Sequence, residues 1–319
     1  MNANVIVFYD QNGDGQVGTD EPVRLPGVQV DIEGRTATSA AGTGGAVVSA
    51  VPAGAQTLTV TKGLPPYYVA PAAGLPVEIP PAETIPVPIT LPIGTNGPNT
   101  YMAFGDSITF GDGSSDGQGY RGRLQQKLQT YFNAATMFND GIEGGKTERA
   151  VERIQPALDQ YHPAYAVILY GTNDWNLVDC QMYRPACLTI ENLRTVVRTA
   201  VAAHTLPILG TIIPSNPGLN PPERNVWVAA TNDKIRQLAT EENVTLADPW
   251  ALFPTGPELG DLFADHVHPN DAGHELIARA FFAAISGTPA SATATAEPIP
   301  LGVMLGLPVP SSSPSEPQP

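Results

Sequence analysis

Serine, histidine and aspartate appear in this chain in an order and setting that suit nucleophilic chemistry on a carbonyl. Tyr101-Met102-Ala103-Phe104-Gly105-Asp106-Ser107-Ile108-Thr109 is a short apolar run that stops at Gly-Asp and hands over to a serine. That order describes a buried strand ending in a tight turn. In open α/β sheets the space beyond the carboxyl end of such a strand is where ligands bind. A serine hydroxyl is a weak nucleophile until a base takes its proton, and the base works best when a third group fixes its tautomer. Asp265-His266-Val267-His268-Pro269 supplies both, an acid three residues before a histidine in a loop closed by proline. His266 is the rival base in the same loop, and spacing from Asp265 favours His268.

Two further segments fit the same picture. Asn139-Asp140-Gly141-Ile142-Glu143-Gly144 follows an apolar stretch at 135–138, and Gly171-Thr172-Asn173-Asp174 follows the very apolar 166–170. Each puts small or amide-bearing residues at a strand's carboxyl end, where they can donate hydrogen bonds to a developing oxyanion.

In this order, the four segments resemble the four sequence blocks of the SGNH (GDSL-type) hydrolases, over roughly residues 98–287. The resemblance implies Ser107 as nucleophile, His268 as base and Asp265 as its orienting acid. It implies an oxyanion hole made of the Ser107 N–H, the Gly144 N–H and the Asn173 side-chain amide, with no catalytic cofactor. Gly144 is preferred over Gly141 and Gly145 by its spacing from Asn139. Ile108 stands where the family name implies leucine, an apolar exchange that leaves the chemistry intact. The opening Gly-Asp-Ser-Ile-Thr-Phe-Gly, with Gly119-Tyr120-Arg121 after it, looks like bacterial carbohydrate esterases that deacetylate xylan. The implied activity is hydrolysis of short acyl, chiefly acetyl, esters on carbohydrate through an acyl-enzyme. Short-chain carboxylesterases and lysophospholipase-type lipid esterases share the same blocks. A different class of reading, a surface binding protein with an inert α/β domain, also stays open at this point.

Competing signals are weaker. Gly113-Ser114-Ser115-Asp116-Gly117 fits the nucleophile elbow of α/β-hydrolases, but no strand leads into it, so a loop near the site is expected. Gly144-Gly145-Lys146-Thr147 echoes a phosphate loop whose first glycine would fall on Asp140, and a carboxylate there repels phosphate. Asp248 is an alternative acid that more simply ends a strand. His162 and His204 fall at expected helix ends, and His274 falls inside the last helix. Trp175 and Trp250 suit a sugar groove, although buried packing is the commoner fate of tryptophan.

Around the site the pattern from residue 100 alternates strand and helix. Helices are expected at 120–132, 148–161, 190–204, 224–242 and 272–286, and strands at 135–138, 164–170, 207–213 and 244–247. Such alternation implies a parallel sheet covered on both faces. With the resemblance, the expected fold is a flavodoxin-like three-layer α/β/α hydrolase. It is preceded by a small antiparallel all-β sandwich at 1–93, where Val5–Tyr9, 28–32, 46–49 and 57–60 alternate Val, Ile and Thr between Gly/Pro turns. Residues 94–99 read as a linker, 100–287 as the catalytic domain, and the Pro/Ser/Ala/Thr-rich 288–319 as a disordered tail.

The β module carries a second signal. Asp10, Asn12, Asp14 and Glu21 in Asp10-Gln11-Asn12-Gly13-Asp14-Gly15 and beyond place oxygens at positions one, three, five and twelve, the spacing of a calcium loop. A strand precedes the loop, so it is no helix–loop–helix. The module instead resembles the calcium-binding B-type repeats of bacterial surface proteins, which implies a structural Ca²⁺. A solvated Asp/Gly turn is the plainer alternative.

Composition bounds the rest. The chain has 319 residues and a net charge of −15, so nucleic acid and anionic membranes are poor partners. No run of about 18 apolar residues offers a membrane span. Met1-Asn2-Ala3-Asn4 begins the chain with neither a basic nor an apolar leader region, so a secretory signal is either absent or already removed. Cys180 and Cys187 are open to three readings: a small loop disulfide, two free thiols or half a metal site. The first suits the secreted or cell-surface bacterial setting that the β module and Pro-rich tail imply.

Overall fold

The computed structural model describes residues 1–290; the tail reading falls almost wholly outside them. Seven strands precede a parallel sheet: β1 (Ala3–Tyr9), β2 (Gln29–Ile32), β3 (Arg35–Thr38), β4 (Gly45–Val48), β5 (Gly54–Lys62), β6 (Leu75–Ile79) and β7 (Ile85–Ile89). They form two facing sheets, ordered β4-β1-β7 and β3-β2-β5-β6. The sandwich is not wholly antiparallel as expected, because β7 lies parallel to β1, with Val5 opposite Ile85 and Tyr9 opposite Ile89. β7 arrives from β6 in the other sheet, and that crossover leaves no mark on a period-two pattern. Three strands, β3, β6 and β7, were not anticipated. In β7, Ile85, Val87 and Ile89 are buried while Pro86 and Pro88 face outward. β6 and β7 both lie at sheet edges. Edge strands are where a residue without an N–H is tolerated, so these prolines mark edges and not breaks.

The parallel sheet is β8 (Gly97–Gly105), β9 (Thr136–Gly141), β10 (Pro163–Leu169), β11 (Leu206–Gly210) and β12 (Thr245–Ala247). All its pairs are parallel, in the order β12-β11-β10-β8-β9. Counted within the sheet this is the 2-1-3-4-5 order of flavodoxin-like folds, whose switch point falls between β8 and β10. The helices are α1 (Ser107–Phe110), α2 (Gly119–Phe132), α3 (Thr147–Tyr161), α4 (Val178–Gln181), α5 (Thr189–Ala202), α6 (Pro222–Glu241) and α7 (Asp271–Ser286).

Alternation along β8 sorts the core into two layers. Tyr101 and Ala103 point to one face, packing with α2, α7 and the apolar interior of the β module. Met102 and Phe104 point to the other, with α3, α5 and α6. β10 is buried at every position, as a central parallel strand must be. The β module is therefore continuous with one face of the catalytic core: Tyr67 Oη donates to the Pro207 carbonyl at 2.7 Å and accepts from Thr245 N–H at 2.9 Å. The stretch expected as a linker is partly structural. Asn96 donates to the carbonyls of Ala203 and His204 at 3.0 Å each, and Gly97–Asn99 open β8.

Candidate active site

Ser107 stands at the first turn after β8, beside the switch point. Asp106 caps α1, its Oδ1 accepting from the Ile108 N–H at 3.0 Å. The short helix is braced from α2. Tyr120 Oη shares a hydrogen bond with Thr109 Oγ1 at 2.9 Å, while Arg121 donates to the carbonyls of Thr109 and Phe110 at 2.6 and 2.8 Å. The Gly119-Tyr120-Arg121 segment thus satisfies carbonyls that a helix end leaves unpaired. The backbone at Ser107 is held as a result.

His268 arrives from the loop before α7, which is anchored by Asn270 accepting from the N–H groups of Ala272 and Gly273. Its Nε2 lies 2.8 Å from Ser107 Oγ, and its Nδ1 lies 2.7 Å from Asp265 Oδ2. The other carboxylate oxygen, Oδ1, accepts the N–H groups of Val267 and His268 at 2.8 Å each. Ser107 is only 7% exposed. Partial burial pushes the Asp265 carboxyl up, but the His268 N–H, its ring and the Val267 N–H outweigh that and hold it at about 2. Asp265 is ionised across the neutral range and aimed at the imidazole. His266 is exposed, 3.7 Å from Asp265 Oδ1, with no contact to Ser107.

The expected oxyanion donors are distinguished by what their N–H groups already do. Gly141 N–H donates to Asn139 Oδ1 at 3.0 Å and Gly145 N–H to the Ile142 carbonyl at 3.1 Å. Gly144 N–H has no protein acceptor among the described residues. Gly144 has φ +65° and open space where a Cβ would project. Ser107 N–H is at the first position of α1, where helix geometry provides no partner. Asn173 Nδ2 donates to the Gly145 carbonyl at 3.1 Å and, at 3.5 Å, to Asp106 Oδ2. Its amide therefore sits against both the second block and the turn bearing Ser107.

Asp174, next in the chain, is fully buried and joins those blocks. Its carboxylate accepts the Thr147 N–H at 2.9 Å, the Thr147 hydroxyl, and the Thr189 hydroxyl at 2.7 Å. It therefore caps α3 from outside the helix and ties the loop bearing Gly144 to the one bearing Asn173. Burial pushes Asp106 up to about 7, against the pull of the Ile108 N–H. Burial likewise pushes His274 down to about 4.

Comparison with known proteins decides the family. The model of the GDSL-like Lipase/Acylhydrolase family matches residues 103–276, more than half of the 319. The chain belongs to the GDSL-like lipase/acylhydrolase family. It is a carboxylic ester hydrolase. An acetylxylan esterase of Geobacillus stearothermophilus is 27% identical over 201 residues, covering 56% of this chain and 90% of that protein. The crystal structure of Axe2, an acetylxylan esterase from the same organism, superposes with a TM-score of 0.51 at 23% identity, covering 60% of this chain and 95% of the other. That likeness concerns the fold. Family membership sets aside the inert-domain reading.

The remaining candidates of the GDSL-like chain fall elsewhere. Ser115 Oγ donates to Asp271 at 2.6 Å, on an exposed loop. Asp248 caps a one-turn 3-10 helix and pairs with Arg236 at 3.0 Å. His162 and His204 adopt positive φ where α3 and α5 end. Trp175 and Trp250 are half-buried against the apolar layer beneath α3, α5 and α6. Cys180 and Cys187 are joined in a disulfide. No helix among the described residues is long and apolar enough to cross a membrane.

In the N-terminal loop, Asp10, Asp14 and Glu21 converge, one oxygen of each lying within 4.8 Å of the others. Asn12 Oδ1 accepts the Asp14 N–H at 2.9 Å. Asp10 accepts the N–H groups of Gly13 and Gly15, and Glu21 those of Gln11, Asn12 and Gly18. The oxygen-rich donor set fits a hard cation.

One group beside His268 escaped the sequence reading, and His274, expected only as a residue of the last helix, supports it. Asp112 Oδ2 lies 3.8 Å from His268 Nε2, and the buried His274 donates to the Asp112 carbonyl at 2.9 Å. Spacing alone holds no signal for these contacts, since each spans about half the chain.

Proposed function

We propose that Ser107, His268 and Asp265 perform the hydrolysis as a triad. Ser107 Oγ attacks the ester carbonyl carbon while His268 Nε2 takes its proton, and Asp265 holds the imidazole with Nδ1–H toward itself. The N–H groups of Ser107 and Gly144 and the Asn173 amide receive the oxyanion. Collapse breaks the bond to the alcohol oxygen, which takes the proton from Nε2 and leaves an acyl-serine. Water then attacks the acyl carbon with the same base, and Ser107 departs with the proton back on Oγ. The unbroken chain from Ser107 Oγ through the imidazole to Asp265, 2.8 and 2.7 Å, carries this reading.

The proposed substrates are short acyl, chiefly acetyl, esters on carbohydrate. Support comes from the acetylxylan esterase relative and from the cleft beside Gly144. That cleft, of about 570 Å³, is walled by Lys146, Glu148, Arg149, Glu152 and Arg153. Charged walls suit hydroxylated substrates and suit lipid chains poorly. The disulfide supports a secreted or cell-surface setting, since such bonds persist in oxidising compartments. Acetate release from acetylated xylan, set against 4-nitrophenyl esters of increasing chain length, tests the substrate. Ser107→Ala is expected to abolish both activities; Ser107→Ala retaining turnover refutes the triad. Lipid-length esters cleaved faster than acetylated xylan refute the carbohydrate assignment.

We further propose a structural Ca²⁺ held by Asp10, Asn12, Asp14 and Glu21. Millimolar Ca²⁺ is expected to raise Tm and a chelator to lower it. An unchanged Tm in both refutes the site.

A further inference from the structure

We propose that Asp112 is a specificity residue that reads a hydroxyl group on the alcohol half of the ester, next to the bond being broken. The inference rests on the triad reading above. Asp112 is the only carboxylate other than Asp265 placed within 4.0 Å of the His268 ring nitrogens among the described residues, and it faces the other nitrogen, Nε2, at 3.8 Å. Nε2 must deliver its proton to the leaving oxygen, so the alcohol passes directly beside this carboxylate. At 3.8 Å the carboxylate stands too far off to compete with Ser107 for the ring nitrogen. Neither oxygen accepts a hydrogen bond from a protein group among the described residues. The side chain is about one-third exposed, so it is open to the substrate side.

Its position is built, not incidental. The Asp112 N–H donates to the Ser107 carbonyl at 3.1 Å, and its own carbonyl accepts from His274 Nε2 at 2.9 Å. His274 is wholly buried and has no other hydrogen bond from its ring. The flanking Gly113 sits at φ +89°, so close to the His268 loop that a Cβ would strike the Pro269 carbonyl. Both ends of Asp112 are therefore fixed to the two loops that carry the reacting groups. An acceptor held in this way before binding gives its full energy to the substrate.

A carboxylate accepts and cannot donate, so the group it selects is a hydroxyl and not an ether or alkyl carbon. The expected substrates are esters of polyols and sugars in which the carbon next to the acylated one bears a free hydroxyl. Per-acylated polymers, where that hydroxyl is itself esterified, are expected to be poor until partly deacylated.

Glycerol 1-acetate and propyl acetate have the same acyl group and differ in the hydroxyls of the alcohol. Wild type is expected to prefer the glycerol ester in kcat/KM by about ten- to a hundredfold, the worth of a hydrogen bond to a charged acceptor. Asp112→Ala is expected to bring that ratio close to one, and Asp112→Asn, which keeps a neutral acceptor, to retain part of it. Any influence of the carboxylate on His268 acts on both esters alike and cancels in the ratio. A wild-type ratio near one, or an Asp112→Ala ratio equal to wild type, overturns the proposal. Failure to release acetate from xylan, with the glycerol preference intact and lost in Asp112→Ala, refutes the polymer assignment alone. Activity surviving Ser107→Ala refutes the triad instead.

Discussion

Asp265→Asn is the perturbation whose outcome the geometry defines most sharply. Oδ1 accepts two backbone N–H groups, from Val267 and His268, both at 2.8 Å. In asparagine only the carbonyl oxygen can take that place, because the NH₂ group would face two donors and forfeit both bonds. The NH₂ is therefore directed to the position of Oδ2, 2.7 Å from His268 Nδ1. It donates there, which obliges Nδ1 to be the acceptor and moves the ring proton to Nε2. Nε2–H then points at Ser107 Oγ across 2.8 Å and has no lone pair to receive the serine proton. The wrong tautomer is locked by the same two N–H bonds that organise the native site. The expected loss in kcat is about 10³- to 10⁴-fold, or roughly 4–5.5 kcal/mol of transition-state stabilisation. Turnover of 4-nitrophenyl acetate near pH 7.5 measures it, with circular dichroism confirming the fold. A folded Asp265→Asn enzyme within tenfold of wild-type kcat would refute the tautomer argument and with it the role of Asp265.

Asn173→Ala is expected to cost about a hundred- to a thousandfold in kcat with the fold retained, as loss of one oxyanion donor does; a near-wild-type rate removes Asn173 from the site. Gly113→Ala should push the Asp112 loop off the His268 loop, lower kcat by roughly ten- to a hundredfold and also lower Tm, because φ +89° and the Pro269 carbonyl leave no room for a Cβ; unchanged kcat shows that the contact does not position the base. Asp106 and His274 should tilt stability with pH in opposite directions. Asp106, raised from 3.8 to about 7, makes the folded state hold its proton more tightly, so stability falls as pH rises between those values. His274, lowered from 6.5 to about 4, makes the folded state hold its proton less tightly, so stability falls as pH drops between those values. Measured against wild type by urea unfolding from pH 4 to 7, Asp106→Asn should therefore lose relative stability on acidification and His274→Gln gain it, each by up to about 1.4 kcal/mol per pH unit; differences of the same sign refute the assignment. Replacing Cys180 and Cys187 by serine opens a loop of seven-residue separation and should cost about 2–3 kcal/mol in the same assay; an unchanged midpoint refutes that contribution.

Much of the site could be read along the chain because its parts are local. Gly105-Asp106-Ser107 ends a strand, and Asp265 and His268 share one loop three residues apart, so backbone geometry within a turn already brings acid and imidazole together. The alternation of apolar strands with amphipathic helices from residue 100 likewise specified a parallel sheet, since periodicity reports which side of an element is buried. Other features depend on which distant segments meet, and a spacing rule carries no information about that. Spacing from Asn139 pointed to Gly144, but that its N–H is free among the described residues while those of Gly141 and Gly145 are engaged is visible only in the folded chain. Asp174 is an acid of the third block that caps a helix of the second. Prolines 86 and 88, which suggest a break in the sequence, lie on an edge strand parallel to β1. Asp112 carries no motif at all; contacts about 160 residues apart bring its carboxylate beside His268 Nε2 and its carbonyl onto His274. Residue types and local order determined which chemistry was available. Tertiary packing alone decided which groups face the imidazole, because burial and through-space distance are properties of the folded chain.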